Sequence, residues 1–239
     1  MAILSGNALK LVAAVLMVVD HVGLMFFPQV RLFRIIGRLA LPIFAFFIAE
    51  GCRYTRSRKR YWGTIFALGA FCQIVYFLAS GDTYMNILIT FSLGILVIYA
   101  LQDLKDALAQ LEKAPMIRAS VELVLAVALV WFLNRWLEID YGFWGCMLPV
   151  WASLFHARGA YWSGILDKLD NPKIHALAMV PGLLLLWKTS STIQGYALLA
   201  IPLLLCYSGK RGSARFKYWF YLFYPLHLAL LEGIAMILQ

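Results

Sequence analysis

Long apolar runs alternate along this chain with short polar connections, and each run is apolar all round rather than on one helical stripe. Nine such runs stand out, near 7–27, 36–51, 61–79, 85–101, 119–137, 142–156, 174–188, 193–207 and 218–237. A membrane-crossing helix takes about 20 apolar residues, so the pattern predicts an all-α fold, a polytopic membrane helical bundle of about nine transmembrane helices. The pattern weakens between 156 and 174, where Tyr161, Trp162, Ile165 and Leu166 fit a short helix lying in the interface.

Composition narrows this further. Of 239 residues, 63% are hydrophobic and 14% charged, with mean hydropathy +0.79, whereas soluble domains carry about a quarter charged residues. Nine spans use roughly 180 residues at ~20 each, which leaves no room for a separate soluble domain, so 1–239 reads as a single integral-membrane domain. Disorder, a collagen-like repeat and a disulfide scaffold are excluded. So is nucleic-acid binding despite the net charge of +9, because the positive charges fall in short clusters between apolar runs.

Those clusters give an orientation. One set of alternate connections holds Lys10; Arg53, Arg56, Arg58, Lys59 and Arg60; Lys105, Lys113 and Arg118; Arg158, Lys168 and Lys173; and Lys210, Arg211, Arg215 and Lys217. The other set holds Arg31, Arg34, Arg38, Arg135 and Lys188. The positive-inside rule then predicts a cytoplasmic N-terminus and an external C-terminus. The first run is long enough to span and no A-x-A-like site follows it, so it is expected to stay as a helix rather than be cleaved as a signal peptide. Cys52, Cys72, Cys146 and Cys206 lack CxxC spacing, so neither disulfides nor a zinc site is expected, and no metal is assigned.

Ionisable side chains within spans are costly and normally face a partner inside the bundle. Asp20 and His21 lie about 20 Å along the first helix from its cytoplasmic start at 1.5 Å per residue. Adjacent residues point about 100° apart, so the two address different neighbours. Arg31, Arg34 and Arg38 share one helical face through spacings of three and four. The returning second helix brings Arg38 to the depth of Asp20, which predicts an Asp20–Arg38 ion pair with Arg34 nearer the outer surface. Gln73, Asn86, the turn at Tyr141 and His227 fall at similar depths, although for Gln73 a structural hydrogen bond between helices is the simpler reading. His21 and His227, two histidines in a bundle beside Asp and Arg, read as functional, since imidazole suits proton transfer near neutrality. Arg53, Arg56, Arg58, Lys59, Arg60, Lys210 and Arg211 form a basic cytoplasmic rim. It serves either as a topology signal facing anionic lipid or as a cradle for the phosphates of a cytosolic cofactor. Glu50, at the inner end of the second run, is expected to pair with one of these arginines.

Several of these features occur together in LKLVAAVLMVVDHVG, FRIIGRLALPIFAFFIAEG, Asn86-Ile87-Leu88, Tyr141-Gly142-Phe143-Trp144-Gly145 and the final YPLHLALL. In them the chain resembles the TraX family, named for a conjugative-plasmid protein that N-acetylates pilin. The match covers most of the helical core and is densest in the first fifty residues. Leu41 stands where relatives often have Phe, a change of similar volume. The resemblance implies an acyltransferase of the bacterial cytoplasmic (inner) membrane. It would take acetyl groups from acetyl-CoA, as co-substrate, to an amine or hydroxyl acceptor at the extracytoplasmic side, a pilin-like protein or a glycan. It also implies that Asp20, His21 and Arg38 form the site, supported by Asn86 and His227. Intramembrane Asp, His and Arg equally fit a small proton-coupled transporter, although no internal repeat points to one.

Overall fold

The computed structural model describes residues 3–157, 165–213 and 217–238. Its helices are α1 (Gly6–Met25), α2 (Arg31–Gly37), α3 (Ala40–Tyr54), α4 (Arg58–Ser80), α5 (Ile87–Gln110), α6 (Lys113–Trp136), α7 (Gly142–Ser153), α8 (Ile165–Leu169), α9 (Pro172–Thr189), α10 (Ala200–Leu205) and α11 (Lys217–Leu238), with a 3-10 helix at Thr192–Leu199 before α10. Among the described residues the only β pairing is two isolated bridges, Leu4 with Tyr207 and Met85 with Ile139. The fold is all-helical.

Local chemistry sets several helix ends. Ser5 caps α1 by accepting from the Ala8 N–H, and Ser57 caps α4 by accepting from that of Arg60. Gly81, at φ 71°, ends α4 in the left-handed region that glycine enters without steric cost. Asn86 caps α5 through its side-chain oxygen on the Leu88 N–H.

Six helical stretches are long and apolar enough to cross a membrane: Gly6–Met25, Arg31–Tyr54, Arg58–Ser80, Ile87–Gln110, Lys113–Trp136 and Trp219–Leu238. Three of the nine expected spans fall outside that set. The run at 142–156 becomes α7, whose 12 residues rise only about 18 Å at 1.5 Å each, against a hydrocarbon core of about 30 Å. The run at 193–207 divides into the 3-10 helix and short α10. The run at 174–188 becomes α9, which has 18 residues but carries Lys173, His175 and Lys188 toward its ends. The second run extends back to Arg31 and breaks between Gly37 and Ala40. Of the interfacial element expected at 161–166, residues 161–164 lie outside the described residues, and α8 begins at Ile165.

The chain forms two compact units, Met1–Phe47 with Leu183–Gln239, and Ile48–Gly182. In the first, α1 packs along α2 and also touches α11, while α2 meets the 3-10 helix. In the second, α5 is central and packs on α4, α6 and α7 around Leu93, Val97, Val130, Ile139, Cys146 and Met147. Gly94 lets α5 reach α7, since a Cβ there would stand 2.4 Å from the Cys146 carbonyl oxygen. α4 and α6 turn large apolar side chains outward, among them Phe71, Ile74, Leu78, Val124, Leu125 and Trp131. A soluble surface keeps such contiguous apolar area small, whereas lipid favours it.

Candidate active site

In the first unit the site begins with two glycines. A Cβ at Gly37 would lie 2.2 Å from the Asp20 Cβ and 2.3 Å from its Oδ1, and one at Gly23 would lie 2.2 Å from the Phe33 Cβ. These absent side chains let α1 and α2 touch, and the contact places the Asp20 carboxylate among the arginines. Arg34 donates through NH1 to Asp20 Oδ2 at 2.6 Å and to the Asp20 carbonyl at 3.4 Å. Arg38 donates through NH2 to the same Oδ2 at 3.4 Å and through NH1 to Gln194 Oε1 at 3.3 Å. Asp20 thus pairs with Arg38, as the sequence predicted, and makes its shorter contact with Arg34. Two guanidinium groups around one carboxylate leave an excess positive charge. Asp20 Oδ1 and Gln194 Nε2 are buried with no hydrogen-bond partner among the described residues, an arrangement whose cost a bound polar group would relieve.

The two histidines stand together. His21 and His227 approach edge to face, with ring centroids 5.1 Å apart and planes at 69°. His21 Nδ1 is 2.8 Å from the Met17 carbonyl, and His227 Nδ1 is 2.9 Å from that of Phe223. A carbonyl can only accept, so each Nδ1 carries the hydrogen and each Nε2 presents a lone pair. His227 is buried, stacked on Phe223 with centroids 5.0 Å apart, and its Nε2 has no hydrogen-bond partner among the described residues. Asp20 and His21 thus bond different neighbours, as their angular separation requires. Gln194 carried no signal in the sequence, since an amide in an apolar run resembles any structural glutamine until its partner is known.

Other candidate residues belong to the second unit. Gln73 and Asn86 form a closed network around the start of α5. Gln73 Oε1 accepts from the Asn86 backbone N–H at 3.0 Å and from its side-chain amide at 3.1 Å. Gln73 Nε2 donates to the Tyr84 carbonyl, and Asn86 Nδ2 also donates to that of Gly69. With the Leu88 cap, their side-chain hydrogen-bonding atoms are engaged in structure. Tyr141 sits at φ 59° as the residue before α7, so its backbone turns the chain.

The basic rim is partly committed. Arg53 NH2 pairs with Asp170 Oδ2 at 2.5 Å, and Arg58 pairs with Asp103 and lies over the Tyr99 ring. Arg56, Lys59 and Arg60 are exposed. In the first unit Lys210 and Arg211 are exposed, and their backbone carbonyls accept from Gly6 and Asn7. Arg158 and Arg215 lie outside the described residues, as does the side chain of Lys217.

The second unit also holds a cluster that the sequence did not mark. Glu50 on α3, His156 in the turn after α7 and His175 on α9 are 5%, 3% and 0% exposed. His156 Nε2 is 3.3 Å and His175 Nδ1 3.8 Å from Glu50 Oε1, and His175 Nε2 is 3.1 Å from Asp170 Oδ1. Glu50 therefore faces two histidines, and Arg53 pairs with Asp170. Burial, more than any neighbour, raises the Asp170 carboxyl above its ordinary range, and Arg53 draws it back.

A family model described as TraX protein matches residues 5–235. A probable fimbrial assembly protein FimC, serogroup H1, of Dichelobacter nodosus is 29% identical over 98% of this chain and 97% of its own length. An uncharacterized protein of Rickettsia prowazekii is 30% identical over 57% of this chain and 50% of its own. No solved structure matches the chain.

Proposed function

The chain belongs to the TraX family, and from that premise we propose that this integral membrane protein is an acyltransferase. It moves an acetyl group from cytosolic acetyl-CoA to an amine or hydroxyl on the far side of the bacterial cytoplasmic membrane. The Dichelobacter relative's name ties that protein to fimbrial assembly, so the acceptor class we assign here is a fimbrial or pilin-type subunit. The observation that carries this reading is the pairing of two lone-pair imidazoles, His21 and His227, with an arginine-rich carboxylate centre in the same unit.

In the mechanism, His21 Nε2 takes the proton of the acceptor amine or hydroxyl as that atom bonds to the acetyl carbonyl carbon. Arg38 and Arg34, held by Asp20, supply the excess positive charge that stabilises the oxyanion developing on the carbonyl oxygen. Collapse of that oxyanion breaks the carbon–sulfur bond, and the departing CoA thiolate takes up the proton from His21. His227 sets the orientation of His21 through the edge-to-face contact. Exposed Lys210 and Arg211, in the same unit as His21, are suited to pair with the CoA phosphates.

The test is transfer in proteoliposomes containing the purified protein, acetyl-CoA labelled in its acetyl group, and a pilin-type subunit. Label is expected on the subunit with the wild type and not with His21→Ala. Folded wild type that labels no subunit, yet carries proton-coupled flux abolished in Asp20→Asn, would replace this reading with transport.

A further inference from the structure

The Glu50–His156–His175 cluster lies apart from the residues used in the proposed transfer, and its chemistry differs from theirs. We propose that it is a binding site for one divalent first-row transition ion of the zinc class. Two imidazoles and one carboxylate are a recurrent protein donor set for such ions, with a further position left for water or another oxygen. One donor atom from each residue, the three lying within 4.8 Å of one another, compares with about 3.4 Å between ligands on a tetrahedral ion. The two contacts to Glu50 Oε1, 3.3 and 3.8 Å, are already near that separation.

Two further observations point to an ion. Asp170 Oδ1 stands 3.1 Å from His175 Nε2, while His175 Nδ1 lies 3.8 Å from Glu50 Oε1, so the ring sits between two carboxylates. A carboxylate beside a histidine ring, itself held by Arg53, stands where the outer support of a metal-bound imidazole is usually found. Second, both nitrogens of the buried His156 lack a hydrogen bond among the described residues, although its turn is fixed independently. Lys105 Nζ donates to the Ser153 carbonyl at 2.8 Å and to that of His156 at 3.3 Å. The lysine thus positions the ligand-bearing turn through its backbone and leaves the imidazole available. The ion would join α3, the turn after α7, and α9 within the second unit.

The test is elemental analysis of the full-length protein purified without chelator, followed by chelation and reconstitution with Zn2+ or Co2+ alone. About one equivalent of ion per chain is expected, and Co2+ should give visible bands of low-symmetry coordination. Zn2+ at hundredfold excess over its Kd should raise Tm by about 5 °C or more. His156→Ala and His175→Ala should lose the ion, and Asp170→Asn should weaken it about 10- to 100-fold. His21→Ala should retain it, which separates this site from the proposed transfer, and no step of the assay uses an acetyl donor. Should the histidine variants fail to fold, the Co2+ spectrum and Zn2+ shift of the wild type decide alone. A folded wild type with no stoichiometric metal and no response to either ion overturns the proposal, and so does full metal retention in His156→Ala and His175→Ala.

Discussion

Gly37→Ala tests whether close contact between α1 and α2 builds the centre around Asp20. A methyl at this position would start 2.2 Å from the Asp20 Cβ, whereas apolar carbons rest at about 3.5 Å, so the helices must part by about 1.3 Å. The 2.6 Å Arg34–Asp20 contact cannot survive such a displacement, because charge-assisted hydrogen bonds of this kind run to about 2.9 Å. Overpacking of this sort costs about 1–3 kcal/mol, and the loosened ion pair adds about 1 kcal/mol, a modest figure because both partners keep some contact with solvent. Displacing catalytic groups by about 1 Å can lower a rate about 100-fold. Gly63→Ala in α4 is the matched control, since a Cβ there meets nothing within 4 Å, and it should be neutral or stabilise by up to about 1 kcal/mol. Thermal unfolding in detergent and acetyl transfer read both variants. Gly37→Ala with the Tm and the transfer rate of Gly63→Ala would refute the reasoning.

Further predictions concern the same residues. Asp20→Asn should cost about 1–3 kcal/mol, less than a fully buried pair because its partners are partly exposed, and should abolish transfer; retained activity would remove the arginine centre from the mechanism. Asn86→Ala should lower stability by about 1 kcal/mol through loss of the α5 cap, with kcat per folded molecule unchanged; a large fall in kcat at unchanged Tm would return Asn86 to the chemistry. Because His21 must be neutral to accept a proton, kcat/KM should rise with pH through one ionisation and then level off, and a profile flat from pH 5 to 9 would exclude it as base.

Much of this was legible in the sequence, and the limits have physical causes. The apolar runs gave the helices, because a run that is apolar all round has few alternatives to a bilayer. Among the described residues six stretches are long and apolar enough to cross, and α7 and the split element at Thr192–Leu205 are apolar but shorter, because hydropathy reports composition and not where a helix ends. Asp20, His21, Arg34, Arg38 and His227 stood out because a charge or imidazole in an apolar run is expensive, and the structure gathers these five in one unit. Gln73 and Asn86 stood out for the same reason, and here the cost is met by a helix cap. Glu50 was read only as an ion-pair partner, and His156 and His175 went unmarked, because all three lie near the ends of apolar runs, where polar residues are expected, and are separated by 106 and 19 positions in sequence. Only the folded second unit brings them together.

The central claim is most directly tested by release of CoA thiol from acetyl-CoA by the detergent-purified protein in the presence of a pilin-type subunit, with wild type and His21→Ala compared under conditions where both bind acetyl-CoA. The account predicts steady thiol release by the wild type and a rate about 100- to 10,000-fold lower in the variant, with acetyl-CoA raising the Tm of both. Equal rates, or thiol release from neither protein, would contradict it.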